Sequence, residues 1–517
     1  MMDKTENTQA DGGQEVRAVG RGALWIAAAK GYFVLTGVLL LTLLPRFIGS
    51  NESERADMYG TFTVVMGILN PITMMMIAGT IQSVSKFISE DVTRFGVVKH
   101  QALRLQFVFG AVVTLLLLLA APLIAYLLGD ERLVVYIRMT APIVFCYSLY
   151  AVFIGTFNGR RLFFRQALMD IMFATMKVGL ILLLALIGFG VAGAIGGFLI
   201  TAIIMLFVAG FLARGGERSG DITWKKLLSF QVWIMVFTLL LNLLMNVDLY
   251  LVKAFLPSFV SDGHAESLRQ SLGLNDVSEV GNVLVGIYSV ALQIARLPYV
   301  GVIAISLVLF PLVSKETYQG DTAKTRSIIQ NATRYTLLLA SFFALGASSC
   351  SSEILKLVFT PIFANGSVEL SLLALGYLAF SMMMIFTTIA SGAGRPQMAA
   401  LIVALTLILS AVANGLAVPL AGTKGAATAT ALVMMTGAVG AWFWVRAHFA
   451  IAFPWSTILR TIVAAIVAFG VSWFWSADTL VTIILKGAVV ALLLAVILAS
   501  DLKREELNKI KTIISRG

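Results

Sequence analysis

The chain has 517 residues, of which 59% are hydrophobic and only 13% charged, with a formal net charge of +11 and a mean hydropathy of +0.92. Soluble globular chains carry about 25% charged residues, so this composition excludes a soluble globule and puts the chain in a bilayer. The positive charge is spread over the short segments between apolar runs, so it is read as lipid-facing and topological, with no nucleic-acid partner.

Residues 1–20 form a polar cytoplasmic tail with no cleavable signal, because the first apolar run that follows is long enough to span. A bilayer core of about 30 Å needs about 20 apolar residues in a helix. Fourteen such stretches follow, at 23–44, 58–81, 105–128, 135–157, 167–190, 191–213, 230–255, 283–312, 335–352, 367–390, 397–418, 425–446, 457–476 and 480–500. The breaks at 190 and 479 carry the weakest boundary signals. Assigning charges at span ends to the adjoining loop, the segments facing one side hold 26 of the 38 Lys and Arg residues and those facing the other hold 7. The positive-inside rule then places both termini in the cytoplasm. The only long outer loop is 256–282, and it leaves no room for an independent extramembrane domain.

Four landmarks recur at nearly constant spacing. Tyr59, Pro71 and Ser85-Lys86 are matched by Tyr288, Pro298 and Ser314-Lys315, with an offset of 229 for the tyrosines and again for the Ser-Lys pairs. Gly159-Arg160 recurs as Gly394-Arg395 at 235, and Gly190-x-x-Gly193-Ala194 as Gly422-x-x-Gly425-Ala426 at 232. An internal repeat of this length in a membrane chain marks a two-lobed transporter. Six spans per copy is an even number, so both copies enter the membrane in the same direction. The expected fold is therefore all-α and polytopic, with two pseudo-symmetric six-helix lobes at 21–213 and 229–447. A cytoplasmic linker at 214–228 joins them, two extra helices follow at 448–500, and 501–517 forms a cytoplasmic tail. Trp224, Lys225, Lys226 and Leu227 give the linker a membrane-surface, amphipathic character. Pro71 and Pro298 occupy matching places inside spans, where proline removes a backbone donor, and are read as hinges.

An ionisable group inside a span costs about 2.5 to 3.5 kcal/mol on insertion scales, so each one is a functional candidate. Arg296 lies near the middle of the eighth span and Lys177 near the middle of the fifth. Lys30 is seven residues into the first span, about 10 Å at 1.5 Å per residue. Asp248 shares the seventh span with Asn242, Asn246 and Lys253, and is read with Asn246 as a counter-ion or cation site. Lys253 is expected to snorkel to the outer interface, and Asp170 and Lys486 to serve structure near span ends. The excess of cations favours a phosphate or pyrophosphate ligand, which arginine can grip with two parallel hydrogen bonds. A drug-cation antiporter needs a dominant acidic site, for which Asp248 is the one deep candidate.

Catalysis has little support. His100, His264 and His448 fall in loops without metal-ligand spacing, and no P-loop is present. His264 and Glu266 in the 256–282 loop are the only weak catalytic signal. Cys146 and Cys350 lie in or beside apolar spans as small packing residues. Neither an enzyme nor a bound cofactor or metal is expected.

YSVALQIARLPYVGVIAISLVLFPLVSKE, from Tyr288 to Glu316, resembles the eighth helix of the multidrug, oligosaccharidyl-lipid and polysaccharide exporter superfamily, in its polysaccharide-transporter and lipid II flippase branches. AGTIQSVSKFISED, from Ala78 to Asp91, is similar to the end of that family's second helix, and NVDLYLVKAFL, from Asn246 to Leu256, to its seventh. The resemblance spans residues 20 to 500. It implies a flippase that carries a polyprenyl-pyrophosphate-linked oligosaccharide across the bacterial cytoplasmic membrane by alternating access. A multidrug or organic-cation antiporter of the same fold is the alternative. Membrane lipids and saccharide-assembly enzymes are the implied partners, and the drive is the membrane potential, H+ or Na+ at Asp248. In this reading Arg296 matches the family's helix-eight arginine and Lys30 stands where the family has a helix-one arginine. Arg296, Lys30 and Lys177 then hold the pyrophosphate and saccharide.

Overall fold

The computed structural model describes residues 35–216, 224–260, 265–272, 279–452, 454–477 and 479–501, together with residues 25, 29 and 31–33. Among these residues every regular element is a helix. The N-terminal set is α1 (35–47), α2 (Glu52–Glu90), α3 (Phe95–Leu127), α4 (Leu133–Gly159), α5 (Phe163–Leu184), α6 (Gly190–Leu212) and α7 (Trp224–Leu244). Then come α8 (Val247–Phe259), α9 (Ala265–Leu272), α10 (Val280–Ala295), α11 (Leu297–Tyr318), α12 (Thr322–Ser349) and α13 (Ser351–Val358). The chain ends with α14 (Ser367–Gly392), α15 (Pro396–Phe449), α16 (Trp455–Phe474) and α17 (Leu480–Ala499). Among the described residues ten stretches are long and apolar enough to cross a membrane, or eleven if the bent pair α12 and α13 counts as one. Two of the ten run for 50 and 54 residues. At 1.5 Å per residue each is more than twice a bilayer core, so each folds as two spans. Splitting these two, and adding α1 and the bent pair, recovers about fourteen.

Both double spans break at the glycines picked out by the repeat. Gly190 has φ 53 and ψ −135, and Gly422 has φ 57 and ψ −141, a conformation open to glycine because it lacks a Cβ. The second glycine of each motif packs on the backbone of the preceding helix. A Cβ on Gly193 would sit 2.8 Å from the Leu184 carbonyl oxygen, and one on Gly425 would sit 2.3 Å from that of Ala417. The sequence boundary at 190 therefore stands, and α17 starts at a capping box on Thr479 and Thr482.

The Gly-Arg landmark needs a correction. After α4, Arg160 N–H donates to Thr156 O, Arg161 to Asn158 O and Leu162 to Phe157 O. After α14, Ala393 donates to Ile389 O, Gly394 to Ser391 O and Arg395 to Ala390 O. The two turns are the same, but Arg161 (φ 57) matches Gly394 (φ 81), an offset of 233 instead of 235. Arg160 and Arg395 are thus not equivalent. Arg160 lies 4.0 Å over the Phe95 ring, whereas Arg395 Nη1 reaches His448 Nε2 at 2.7 Å.

The chain divides into two compact units, Met1–Leu243 and Leu244–Gly517. In the first, Val84, Phe87 and Ile88 of α2 pack with Val98 and Ala102 of α3, Val152 of α4 and Leu227 of α7. Gln231 Nε2 on α7 donates to Thr80 Oγ1 on α2 at 3.2 Å. The sequence places the seventh span wholly in the second lobe. In the structure that span is broken at Met245-Asn246, and α7 packs with the N-terminal unit. Residues 217–223 of the expected linker lie outside the described residues, while Trp224 and Lys225 are exposed and Leu227 is buried.

Gly155 and Gly159, four apart on α4, let its backbone approach α2 closely. A Cβ on Gly159 would come within 2.9 Å of Ser85 O and 2.7 Å of Ile88 Cβ. Gly159→Val is therefore expected to destabilise the protein by about 1–3 kcal/mol, as overpacking does. A lowered thermal midpoint in detergent checks this, and an unchanged one would mean that α4 can move away freely.

In the second unit, Leu338, Leu345 and Cys350 pack with Ala464 and Ala468 of α16 and Val490, Leu494 and Leu498 of α17. At one end Asp501 is gripped by Arg334 of α12, by Arg460 of α16, and by the Thr457 hydroxyl at 2.9 Å. Further along, Lys486 Nζ lies 2.5 Å from Glu353 Oε1, and Lys486 is 2% exposed. The chain reaches this point because α12 and α13 meet at a 78° bend. Lys253 departs from expectation. It is buried and donates to Asn282 Oδ1 at 2.7 Å, so a partner on α10 meets it where snorkelling is expected from the sequence.

Candidate functional site

The break in the eighth span creates the site. Pro298 has no N–H to bond back to Ile294, so α10 ends at Ala295 and α11 starts at Leu297 with Arg296 between them. Pro298 falls on the second residue of the new helix, where an N–H would lack an intrahelical partner in any case. Pro71, its counterpart, lies inside the continuous helix α2. The two proline positions match in sequence and differ in local structure.

At the break, the Arg296 side chain turns to a second discontinuity, Met245-Asn246. Nη2 donates to the Met245 carbonyl and to Asn246 Oδ1, the latter at 3.1 Å, and Nε donates to the Tyr377 hydroxyl at 3.1 Å. Tyr377, on α14, in turn reaches Met245 O at 3.4 Å. The carbonyl left open where one helix stops is thus satisfied by a cation from another. Of the five guanidinium donors, the Nη1 pair makes no hydrogen bond among the described residues, and Arg296 as a whole is half-buried.

Asp248 begins the same helix, α8, and is 2% exposed. Its Oδ1 accepts from Leu249 N–H at 2.8 Å and its Oδ2 from the Tyr288 hydroxyl at 2.8 Å. The Thr430 hydroxyl stands 3.5 Å from Oδ2 and 3.3 Å from Asn414 Oδ1, and Asn414 also donates to Ser410 O at 3.0 Å. Asp248 and Arg296 share this region without a direct ion pair. Their separate hydrogen-bond sets hold both side chains in place.

Of the residues singled out by the sequence, Arg296, Asn246, Asp248 and Pro298 come together within the C-terminal unit. Lys177 belongs to the N-terminal unit, where Nζ lies 4.2 Å over the Phe198 ring beside Phe173 and Tyr147. Lys30 lies outside the described residues. Sequence reasoning missed Tyr377, Thr430, Asn414 and Ser410. It had Tyr288 as a repeat landmark without seeing that its hydroxyl serves Asp248. An asparagine inside the apolar 397–418 run was the available signal for Asn414, since a span seldom carries an amide without an interhelical partner.

The family model described as polysaccharide biosynthesis protein matches residues 19–316, more than half of the chain. The chain belongs to that family. Over 433 residues it is 26% identical to the uncharacterized membrane protein YabM of Bacillus subtilis, covering 79% of this chain and 77% of that protein. Over 200 residues it is 26% identical to the probable low-salt glycan biosynthesis flippase Agl15 of Haloferax volcanii, covering 38% and 42%. The fold is similar to that of the lipid II flippase MurJ in an inward closed conformation, with a TM-score of 0.71, 15% identity, and coverage of 92% of this chain and 99% of that one. It is also similar to an inward-facing multidrug resistance transporter of the MATE family in the MOP superfamily, with a TM-score of 0.59, 15% identity, and coverage of 80% and 98%. The fold expected from the Tyr288–Glu316 stretch is thus the one that this member of the polysaccharide biosynthesis family has.

Proposed function

We propose that the protein is a flippase for a polyprenyl-pyrophosphate-linked oligosaccharide in the bacterial cytoplasmic membrane, working by alternating access and without catalysis. The observation that carries this reading is the Arg296 guanidinium. It is anchored through Nε and Nη2, so that its two Nη1 donors are oriented and still available to an oxyanion. Lys30 and Lys177 add positive charge for the pyrophosphate and saccharide, and the prenyl chain stays in lipid. Family membership and the name of Agl15 support the same substrate class. Saccharide-assembly enzymes supply the substrate on the cytoplasmic side, where both termini lie. Pro71 and Pro298 serve as hinges. Asp248 with Asn246, and now Asn414 and Thr430, takes the coupling ion, or the membrane potential drives the step, worth about 2.3 kcal/mol per charge per 100 mV.

The buried Asp248, met by the Leu249 amide and by the Tyr288 and Thr430 hydroxyls, also suits organic-cation antiport, the second reading. The test is reconstitution in liposomes with a fluorescent polyprenyl-diphosphate oligosaccharide. Wild-type protein is expected to move it between leaflets, with Arg296→Ala and Lys30→Ala each losing most of the activity. Translocation that survives both substitutions unchanged removes the phosphate site, and movement of organic cations alone replaces the flippase with the antiporter.

A further inference from the structure

We infer that Glu369 is a proton-binding carboxyl serving the Asp248 site from the next layer of the same unit, a proposal that rests on Asp248 being the coupling acid. Glu369 sits in the first turn of α14 and is 3% exposed. Its Oε1 accepts from the Thr423 hydroxyl at 2.7 Å. Its Oε2 is buried and has no hydrogen-bond partner among the described residues. A buried carboxylate oxygen left without a donor is expensive, so each one calls for an explanation, and a ligand that meets it during function is one.

Coordination chemistry selects the ligand. Hard metal cations take about six or more oxygens, whereas this position offers one carboxylate and one hydroxyl. No cluster of three or more His, Cys, Asp or Glu able to hold a metal occurs among the described residues. A proton needs a single oxygen. Binding one at Oε2 turns the carboxylate into a neutral acid, with water giving up the proton and nothing oxidised or reduced.

The charged groups on the elements packed against α14 are compatible with this role. Glu279 precedes α10, and Glu353 and Lys356 lie on α13. Lys424, one residue after Thr423 on α15, is exposed. Glu353 is taken by Lys486. Arg296 after α10, Glu316 on α11, Lys324 and Arg326 on α12, and Arg446 and His448 on α15 belong to the far ends of their helices, and Arg334, midway along α12, is taken by Asp501. None makes an ion pair with Glu369 among the described residues.

Register links Glu369 to Asp248. The second half of α15 runs parallel to α14: Glu369 meets Thr423, and farther along a Cβ on Gly376 would come within 2.8 Å of Ala431 Cα. Thr430, beside Ala431, is the threonine that reaches Asp248. Thr423 and Thr430 are seven residues apart, about 10 Å of helix. Each hydroxyl attends one buried acid, so the two carboxyls occupy successive layers along one pair of helices. A proton taken up at Glu369 is handed through water between the two layers to Asp248, which leaves Glu369 ionised again and removes the charge at Asp248.

The test compares wild type, Glu369→Gln and Asp248→Asn, purified in full length. Glutamine keeps the acceptor for Thr423, and equal thermal midpoints certify the fold. Infrared difference spectra recorded across a pH change are expected to show a carboxylic-acid carbonyl band that Glu369→Gln loses and Asp248→Asn keeps. In proteoliposomes carrying a lumenal pH dye, both variants are expected to slow proton uptake at least fivefold. Identical infrared spectra for wild type and Glu369→Gln would overturn the proposal. So would loss of the band with unchanged proton uptake. A wild type that shows the band and takes up protons faster than both variants, yet moves no lipid-linked saccharide, would overturn the flippase reading while supporting this one.

Discussion

Arg296→Lys is expected to lower translocation of the lipid-linked oligosaccharide by about 10- to 100-fold, although the positive charge is kept. Hydrogen bonds to charged groups contribute about 1.5–3 kcal/mol each, and one such bond to the transported phosphate accounts for a change of that size. The geometry explains why lysine cannot substitute. Arg296 uses Nε on Tyr377 and Nη2 on Met245 O and Asn246, and presents Nη1 on the other edge of a rigid plane. An ammonium has three donors on one atom. It can satisfy the Met245 carbonyl or meet an oxyanion, but it cannot hold both at separate positions. Tyr377→Phe separates the two duties, since it deletes the Nε anchor and leaves Nη1 and the charge in place. Its defect in liposome translocation is expected to be several-fold smaller than that of Arg296→Lys. Should Arg296→Lys match wild type, the guanidinium serves only to seal the Met245-Asn246 break. Equal losses for the two variants, with equally lowered thermal midpoints, would also assign Arg296 to structure.

The fold and half of the site were legible in the sequence for a simple reason: a charge, a proline or a paired glycine is conspicuous in an apolar span. Arg296 and Asp248 were found as charges out of place, and the break at Gly190 as part of a repeated motif whose backbone proves the same at Gly422. What a single chain does not display is which spans are neighbours. Tyr377 and Thr430 are ordinary residues in apolar helices until α14 and α15 are placed beside Asp248 and Arg296. Lys253 was misread for the same reason, because Asn282, the partner that keeps it buried, belongs to a distant segment. The Gly-Arg landmark failed differently. Matching letters gave an offset of 235, but the turn itself is shared at 233, with Arg161 in the left-handed conformation that Gly394 takes in the other copy. A non-glycine residue there costs about 1–2 kcal/mol, which a hydrogen-bonded turn can absorb. Repeat register in loops is therefore safer to read from turn geometry than from residue identity.

The largest stability effect is expected at Lys486 and Glu353, a pair that no spacing along the chain would match. Lys486 lies in α17 at 2% exposure with Glu353 Oε1 at 2.5 Å. Removing one member of a buried ion pair leaves the other uncompensated, at a cost of about 3–5 kcal/mol. Lys486→Met and Glu353→Leu should each produce a loss of that size, read as lower thermal midpoints and poorer recovery of folded protein. Replacing both members by apolar side chains of similar volume removes the stranded charge, and such replacements are often neutral or stabilising. The double variant Lys486→Met with Glu353→Leu is therefore expected to regain most of the stability, a coupling of several kcal/mol in a double-mutant cycle. Glu353 stands on α13, just past the 78° bend after α12, while α16 and α17 pack on α12 through Leu338, Leu345 and their neighbours. The pair thus fixes the bent helix to α17 at one end, as Asp501 fixes α12 and α16 at the other. If the double variant is as damaged as the sum of the singles, the two sites act independently, and the bend is held by apolar packing alone.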